Sequence, residues 1–169
     1  VGTGIGVGAT VAGQLLHGFQ HPEAGHIPVK RHPDDTFSGN CPYHADCLEG
    51  MAAGPAIAAR WGSKAEQLET EESVWELEAY YLAQALVNQI LLLSPSKLII
   101  GGGVMKAKQL LPLIRKNVVQ MLNGYIQHEN VLSSIHEYIT LPGLGDEAGI
   151  YGALVLATQA YQENIGNNG

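Results

Sequence analysis

Between Pro22 and Glu49 the chain reads PEAGHIPVKRHPDDTFSGNCPYHADCLE, and this one short segment holds both cysteines of the protein. Cys41, His44 and Cys47 stand at C-x2-H-x2-C spacing, with His26 fifteen residues before Cys41. Thiolate and imidazole are the ligands of structural zinc, and two-residue gaps let one tight turn present three of them. The spacing therefore predicts a metal-closed loop over about 21–49, with His26, Cys41, His44 and Cys47 as a closed ligand set. His32, His21 and Asp46 compete for the fourth position, and two reduced cysteines among solvated histidines are the plainer alternative.

The first nine residues, VGTGIGVGA, alternate glycine with Val1, Thr3, Ile5, Val7 and Ala9. Period-2 patterning predicts an extended segment with one bare face. A tight turn near Gly4 would aim free amides and the Thr3 hydroxyl at an anion. The string lacks the lysine of a Walker loop and does not open a helix as a dinucleotide fingerprint does. A glycine-rich hairpin without a ligand is the competing reading. A chain that starts this way reads as truncated within a strand.

Composition narrows the classes of partner. With 16 acidic against 9 basic residues the formal charge is -7, which argues against nucleic acid. No apolar run reaches membrane-spanning length, so no membrane partner is expected. Two cysteines beside histidines fit a reducing compartment, and a cytoplasmic enzyme domain is the expectation. At 169 residues, the chain is one α/β unit or part of a larger protein.

Along the chain, a short strand is predicted over Thr10 to Leu16 and another over Ile27 to Lys30. GMAAGPAIAARWG predicts a helix interrupted at Gly54 and Pro55 and stopped by Gly62. Lys64 to Glu72 reads as a surface turn or short helix. Val74 to Leu93 predicts the main helix, with Ser73 and Glu76 as a capping box and Val74, Leu77, Tyr81, Leu82, Ala85, Leu86 and Ile90 as its core face. Lys97 to Ile100 predicts a strand running into Gly101 to Gly103 and then a helix over about 107–122, kinked or delayed by Pro112. Strand, glycine turn and helix start form a site where a nucleotide can lie against backbone; a plain tight turn is the alternative. Val131 to Thr140 is expected to supply a last strand, centred around Tyr138 to Leu141. A terminal helix over about 147–161 follows, its small residues Ala148, Gly149, Gly152 and Ala153 allowing close contact with the glycine turn, and NIGNNG reads as frayed.

VGTGIGVG, EAGH at Glu23 to His26, the loop ending CLEGMAAGPAI, LIIGGGVM and AG-x-x-GAL at Ala148 to Leu154 occur in one order. Together they resemble the ROK family of sugar kinases over nearly the whole chain, and HPEAGHIPVKRHPDD with CPYHADCLEG looks most like its bacterial fructokinase branch. The resemblance implies an actin and hexokinase-like (ribonuclease H-like) α/β fold, with a mixed sheet flanked by helices and an inserted zinc loop. It implies that residues 1–169 are the C-terminal portion of such a kinase. Thr3 and Gly4 then belong to a phosphate hairpin, and Glu23, His26 and Glu49 to the sugar site. Pro55, Gly102, Gly103, Val104, Met105 and Lys106 belong to the adenosine site, and zinc is structural.

Many relatives place three cysteines in the loop, whereas His44 stands here where a thiolate is expected. Imidazole also suits zinc, so the metal expectation stands. The first phosphate motif and the catalytic base are expected upstream, and no residue here is assigned as the base. The implied activity is ATP- and Mg2+-dependent phosphorylation of fructose at the 6-hydroxyl by the parent chain, acting as a homodimer, with the isolated segment inactive. A kinase for glucose, mannose or an N-acylated hexosamine, a sugar-responsive transcriptional repressor and a zinc-stabilised binding module without catalysis are the alternatives.

Overall fold

A computed structural model describes residues 1–166. The core forms around one long helix, α3 (Glu72–Leu93), which packs along α4 (Leu110–Leu122) and against the short α1 (Leu48–Ala52). Trp75, Tyr81, Leu48, Met51, Ile57, Leu110, Ile114 and Ile139 are among the largest side chains fully removed from solvent, each worth about 1.5–3 kcal/mol of transfer free energy. Six of the seven expected core positions of α3 are buried; Leu77 is partly exposed.

The helix begins two residues earlier than the expected start at Val74. Glu71 is its N-cap without a side-chain bond, so the Ser73 and Glu76 capping box does not form. Tertiary contact sets the entry instead: the Trp75 indole N–H donates to the Leu68 carbonyl at 2.8 Å, and the Glu71 amide donates to the same carbonyl at 2.9 Å.

GMAAGPAIAARWG folds as expected into two helices, α1 and α2 (Gly54–Trp61), the second closed by Gly62 at φ 70°. Pro112 lies in the first turn of α4, where proline needs no donor, so it delays the helix and does not kink it. Asn123 caps that helix in the left-handed region, followed by Gly124.

Strand pairing is sparse. β1 (Thr10–Val11) and β2 (Gln14–Leu15) form an exposed antiparallel hairpin across Ala12 and Gly13. Both turn residues have positive φ, the signature of a two-residue hairpin turn, so the single strand expected over Thr10 to Leu16 doubles back. β3 (Leu98–Ile99) pairs in parallel with β4 (Ile139–Thr140). The mixed character of the sheet is thus divided between two separate ladders. Ile27 to Lys30 contributes only an isolated bridge, Pro28 with Cys47. Residues 1–9 carry no strand; their backbone bonds go to loops and turns, described below. Two short helices, α5 (Glu129–Leu132) and α6 (Ile135–Tyr138), lead into β4.

The terminal helix α7 (Ala148–Gly166) starts where expected. Its small-residue face is bare, and a Cβ added at Gly149 or Gly152 would meet no atom within 4 Å. The expected packing on the glycine turn is therefore not made, and Ile150, Tyr151, Leu154, Val155 and Leu156 are exposed. The expected fraying of NIGNNG is not seen at 164–166, which are helical; 167–169 lie outside the described residues.

Candidate functional site

The loop brings His26, Cys41, His44 and Cys47 together, with one ligand atom from each lying within 4.8 Å of all the others. Cys47 Sγ lies 3.5 Å and Cys41 Sγ 3.7 Å from His26 Nδ1, and Cys41 Sγ is 3.8 Å from His44 Nδ1. Tetrahedral zinc with bonds of about 2.0–2.3 Å requires ligand edges of roughly 3.3–3.8 Å, which these three separations meet. Neither cysteine is in a disulfide. Burial pushes the Cys41 thiol up, but hydrogen bonds from the His44 and Tyr43 backbone and from the Cys47 and His44 side chains bring it down to about 6. Burial and the neighbouring Cys41 hold Cys47 above the usual thiol range. One thiolate and one thiol sharing a pocket is the arrangement a metal ion completes by displacing the remaining proton.

Local structure explains why four ligands converge. Ala45, at φ 52°, reverses the chain between Cys41 and Cys47, and Cys41 and Ala45 exchange backbone bonds of 3.1 and 2.9 Å. Cys47 is the N-cap of α1, and the Leu48 amide donates to the Ile27 carbonyl. His26 sits in a single 3-10 turn over Ala24–His26. Its Nδ1 faces the sulfurs, while its Nε2 is 3.8 Å from Glu49 Oε1. A metal-facing imidazole backed by a carboxylate is the usual outer-shell partnership of such sites.

Glu49 Oε2 accepts a hydrogen bond from the Ile5 amide at 2.8 Å. Gly25 allows this closeness, because a Cβ there would stand 1.8 Å from the Ile5 carbonyl oxygen. The same N-terminal segment is tied at its other end to the turn after β3. The Val1 nitrogen donates to the Gly101 carbonyl at 2.6 Å, and the Val104 amide donates back to Val1 at 3.3 Å. Between these ends, the Gly54 amide at the start of α2 donates to the Gly2 carbonyl at 2.8 Å. Gly2 to Gly4, Gly54 and Gly102 to Val104 therefore meet in one place, with Pro55 exposed beside them.

Other expected site residues fall differently. Thr3 and Glu23 are exposed. Val104 and Met105 point into the core, at 3% and 5% exposure, so they can shape an adenosine site only through backbone. Lys106 is exposed and pairs with Asp146 at 3.0 Å. A cavity of about 160 Å³ lies against Gly103, Val104, Lys106 and Ala107, with Ala65, Glu66, Glu69 and Trp75 opposite. It is smaller than the roughly 300–1,000 Å³ of a full ligand pocket.

The sequence reading missed a second anchor of the loop. Tyr81 on α3 donates its hydroxyl proton to Asp35 Oδ2 at 2.6 Å, Arg60 Nη2 lies 3.2 Å from the same oxygen, and Gln84 pairs with both the amide and the carbonyl of Lys30. The available signal was an isolated arginine within the small apolar helix GPAIAARW.

The α/β fold, with a Cys/His loop beside a carboxylate and a glycine-rich backbone crossing, is actin and hexokinase-like. The chain belongs to the ROK family, whose model matches residues 1–160. It is 55% identical over 162 residues to a Bacillus subtilis (strain 168) protein named "Putative fructokinase", covering 96% of this chain and 54% of the relative. The fructokinase of Pediococcus pentosaceus is 41% identical over 160 residues, covering 95% of this chain and 54% of that relative. Among solved structures, the ROK hexokinase from Thermus thermophilus superimposes with a TM-score of 0.74 at 23% identity, over 96% of this chain and 56% of that one. The chain thus spans about half the length of the relatives it matches.

Proposed function

We propose that the intact parent of this chain is a fructokinase that transfers the γ-phosphoryl group of ATP to the 6-hydroxyl of fructose. One observation carries the reading: Val1 to Ile5 is bound to Glu49 at one end and to the Gly101 to Val104 turn at the other. A carboxylate suited to sugar hydroxyls and a run of backbone suited to phosphate thereby share a five-residue segment. Phosphoryl transfer depends mainly on such positioning and on charge neutralisation.

In this reading Glu49, His26 and Glu23 bind sugar hydroxyls, a carboxylate acceptor making the stronger bonds. Thr3 and Gly4 face the phosphates, and Pro55 with the 102–106 turn receives the adenosine. Mg2+ bound with ATP would supply neutralisation of the phosphate charge. Zinc on His26, Cys41, His44 and Cys47 holds the loop in shape and takes no part in the transfer. The base comes from outside residues 1–169, so this segment alone has no kinase activity. A homodimer in the cytoplasm completes the proposal. The identity with proteins named fructokinase supports the choice of sugar.

The test is ADP release by the intact parent with ATP and Mg2+ across a panel of hexoses, with metal content measured on the same sample. Turnover strongest with fructose is expected. Absence of turnover on every hexose by a folded, metal-loaded protein would sink the assignment and favour a sugar-responsive regulator.

A further inference from the structure

We infer that Arg60 is a positioning residue for the sugar-binding carboxylate, acting through the last turn of α1 and held in place by Asp35 and Tyr81. The inference rests on the kinase reading above, in which Glu49 binds the hexose.

Five residues cannot sustain a helix unaided, so the place of α1 is set by what holds its ends. Its start is Cys47, a member of the metal cluster. At its other end the Arg60 guanidinium donates from Nη2 to the Met51 carbonyl at 2.8 Å. That carbonyl belongs to a buried last turn, where an unpaired C=O would be costly. Glu49 lies between these two fixings, in the first turn.

Arg60 is itself fixed from three sides. Its Nη2 reaches Asp35 Oδ2 at 3.2 Å, the two side chains being only 6% and 3% exposed. Its guanidinium carbon stands 4.7 Å from the Phe37 ring centre and 5.5 Å from that of Tyr81. Asp35 is fixed in turn by the Tyr81 hydroxyl and, through Oδ1, by the Phe37 amide at 2.9 Å. A planar guanidinium serves this junction because one rigid fork can engage a carbonyl and a carboxylate while its faces rest on aromatic rings. The loop therefore has a metal anchor at the start of α1 and an ionic anchor at its end, and Glu49 is aimed by both.

The experiment compares the wild-type parent enzyme with Arg60→Gln and Arg60→Lys. Arg60→Gln is expected to raise the fructose KM about tenfold or more, with the ATP KM and metal content unchanged. Arg60→Lys, which keeps the charge but loses the fork, falls between the two. An unchanged fructose KM in a folded Arg60→Gln variant, or fructose and ATP KM rising together, would overturn the inference. Should that variant fail to fold, Tyr81→Phe removes one support of Asp35 and must shift the fructose KM in the same direction; no shift overturns it. Hexose binding by calorimetry separates the two levels. A wild type that binds a hexose without turnover defeats the kinase reading, and a weaker hexose Kd in Arg60→Gln then still upholds the positioning role. A wild type that binds no hexose overturns both.

Discussion

Glu49 and Ile5, forty-four residues apart, are joined by a 2.8 Å hydrogen bond from the Ile5 amide to Glu49 Oε2. The other oxygen, Oε1, is 3.8 Å from His26 Nε2. One carboxylate thus links the glycine-rich start of the chain to the Cys/His loop, and in the proposed kinase its remaining lone pairs are the ones offered to a sugar hydroxyl.

Glu49→Gln retains an oxygen for the Ile5 amide but removes the charge. Charged acceptors make hydrogen bonds roughly twice as strong as neutral ones, so hexose affinity should fall by about tenfold or more, as calorimetry on the parent enzyme would read. Metal affinity should weaken as well, because the same carboxylate backs the metal-facing imidazole of His26.

Removing the metal should loosen the loop more than the core. Cys47→Ser takes away a ligand at the N-cap of α1, where the cysteine side chain makes no capping bond and serine is itself a favoured cap, so a loss of stability reports the metal. Elemental analysis is expected to find the bound metal lost and the melting temperature lowered. Proteolysis should then cut first within 38–46, because residues 30–37 keep their bonds to Gln84, Tyr81 and Arg60.

Gly102 and Gly103 adjoin in sequence and should behave oppositely. Gly102 has φ 101° and a Cβ there would stand 2.3 Å from the Val1 carbonyl oxygen, whereas at Gly103 it would meet nothing within 4 Å. Gly102→Ala should cost roughly 1–3 kcal/mol in backbone strain alone and raise the ATP KM by displacing Val1. Gly103→Ala should be close to silent in thermal melts, and any rise it causes in the ATP KM would come from the adenosine site and not from backbone strain.

Burial, and then the hydrogen bond to Asp35, push the Tyr81 phenol from 10.0 up to about 12. An acid whose folded pKa is raised binds its proton longer in the folded state, so its contribution is intact below pH 10 and is lost as pH climbs toward 12. Melting temperatures between pH 9 and 12 should therefore fall less steeply in Tyr81→Phe than in the wild type. Equal slopes would show that Tyr81 is not the group responsible.

Three residues of the cluster were legible because Cys41, His44 and Cys47 lie within seven residues; the fourth was not, since His21 and His32 competed with His26 and only the folded loop brings His26 to the two sulfurs. The long helix was legible because its apolar positions repeat with the helical period. Its true start was not, since the Trp75 to Leu68 contact overrode the Ser73 capping signal. The small-residue pattern of α7 was read as close packing. That pattern permits approach but does not supply a partner.

By itself, then, the sequence determined three of the four residues of the Cys/His cluster, the order of helices, the glycine positions and, through several ordered motifs, the family. Short-range periodicity and covalent geometry suffice for these. Only the tertiary structure decided that Ile5 bonds Glu49, that Val1 reaches the turn after β3, and that Asp35, Arg60 and Tyr81 form one buried junction. Such contacts join residues 25–100 positions apart. They arise because buried charges and backbone donors must find partners once the core has closed.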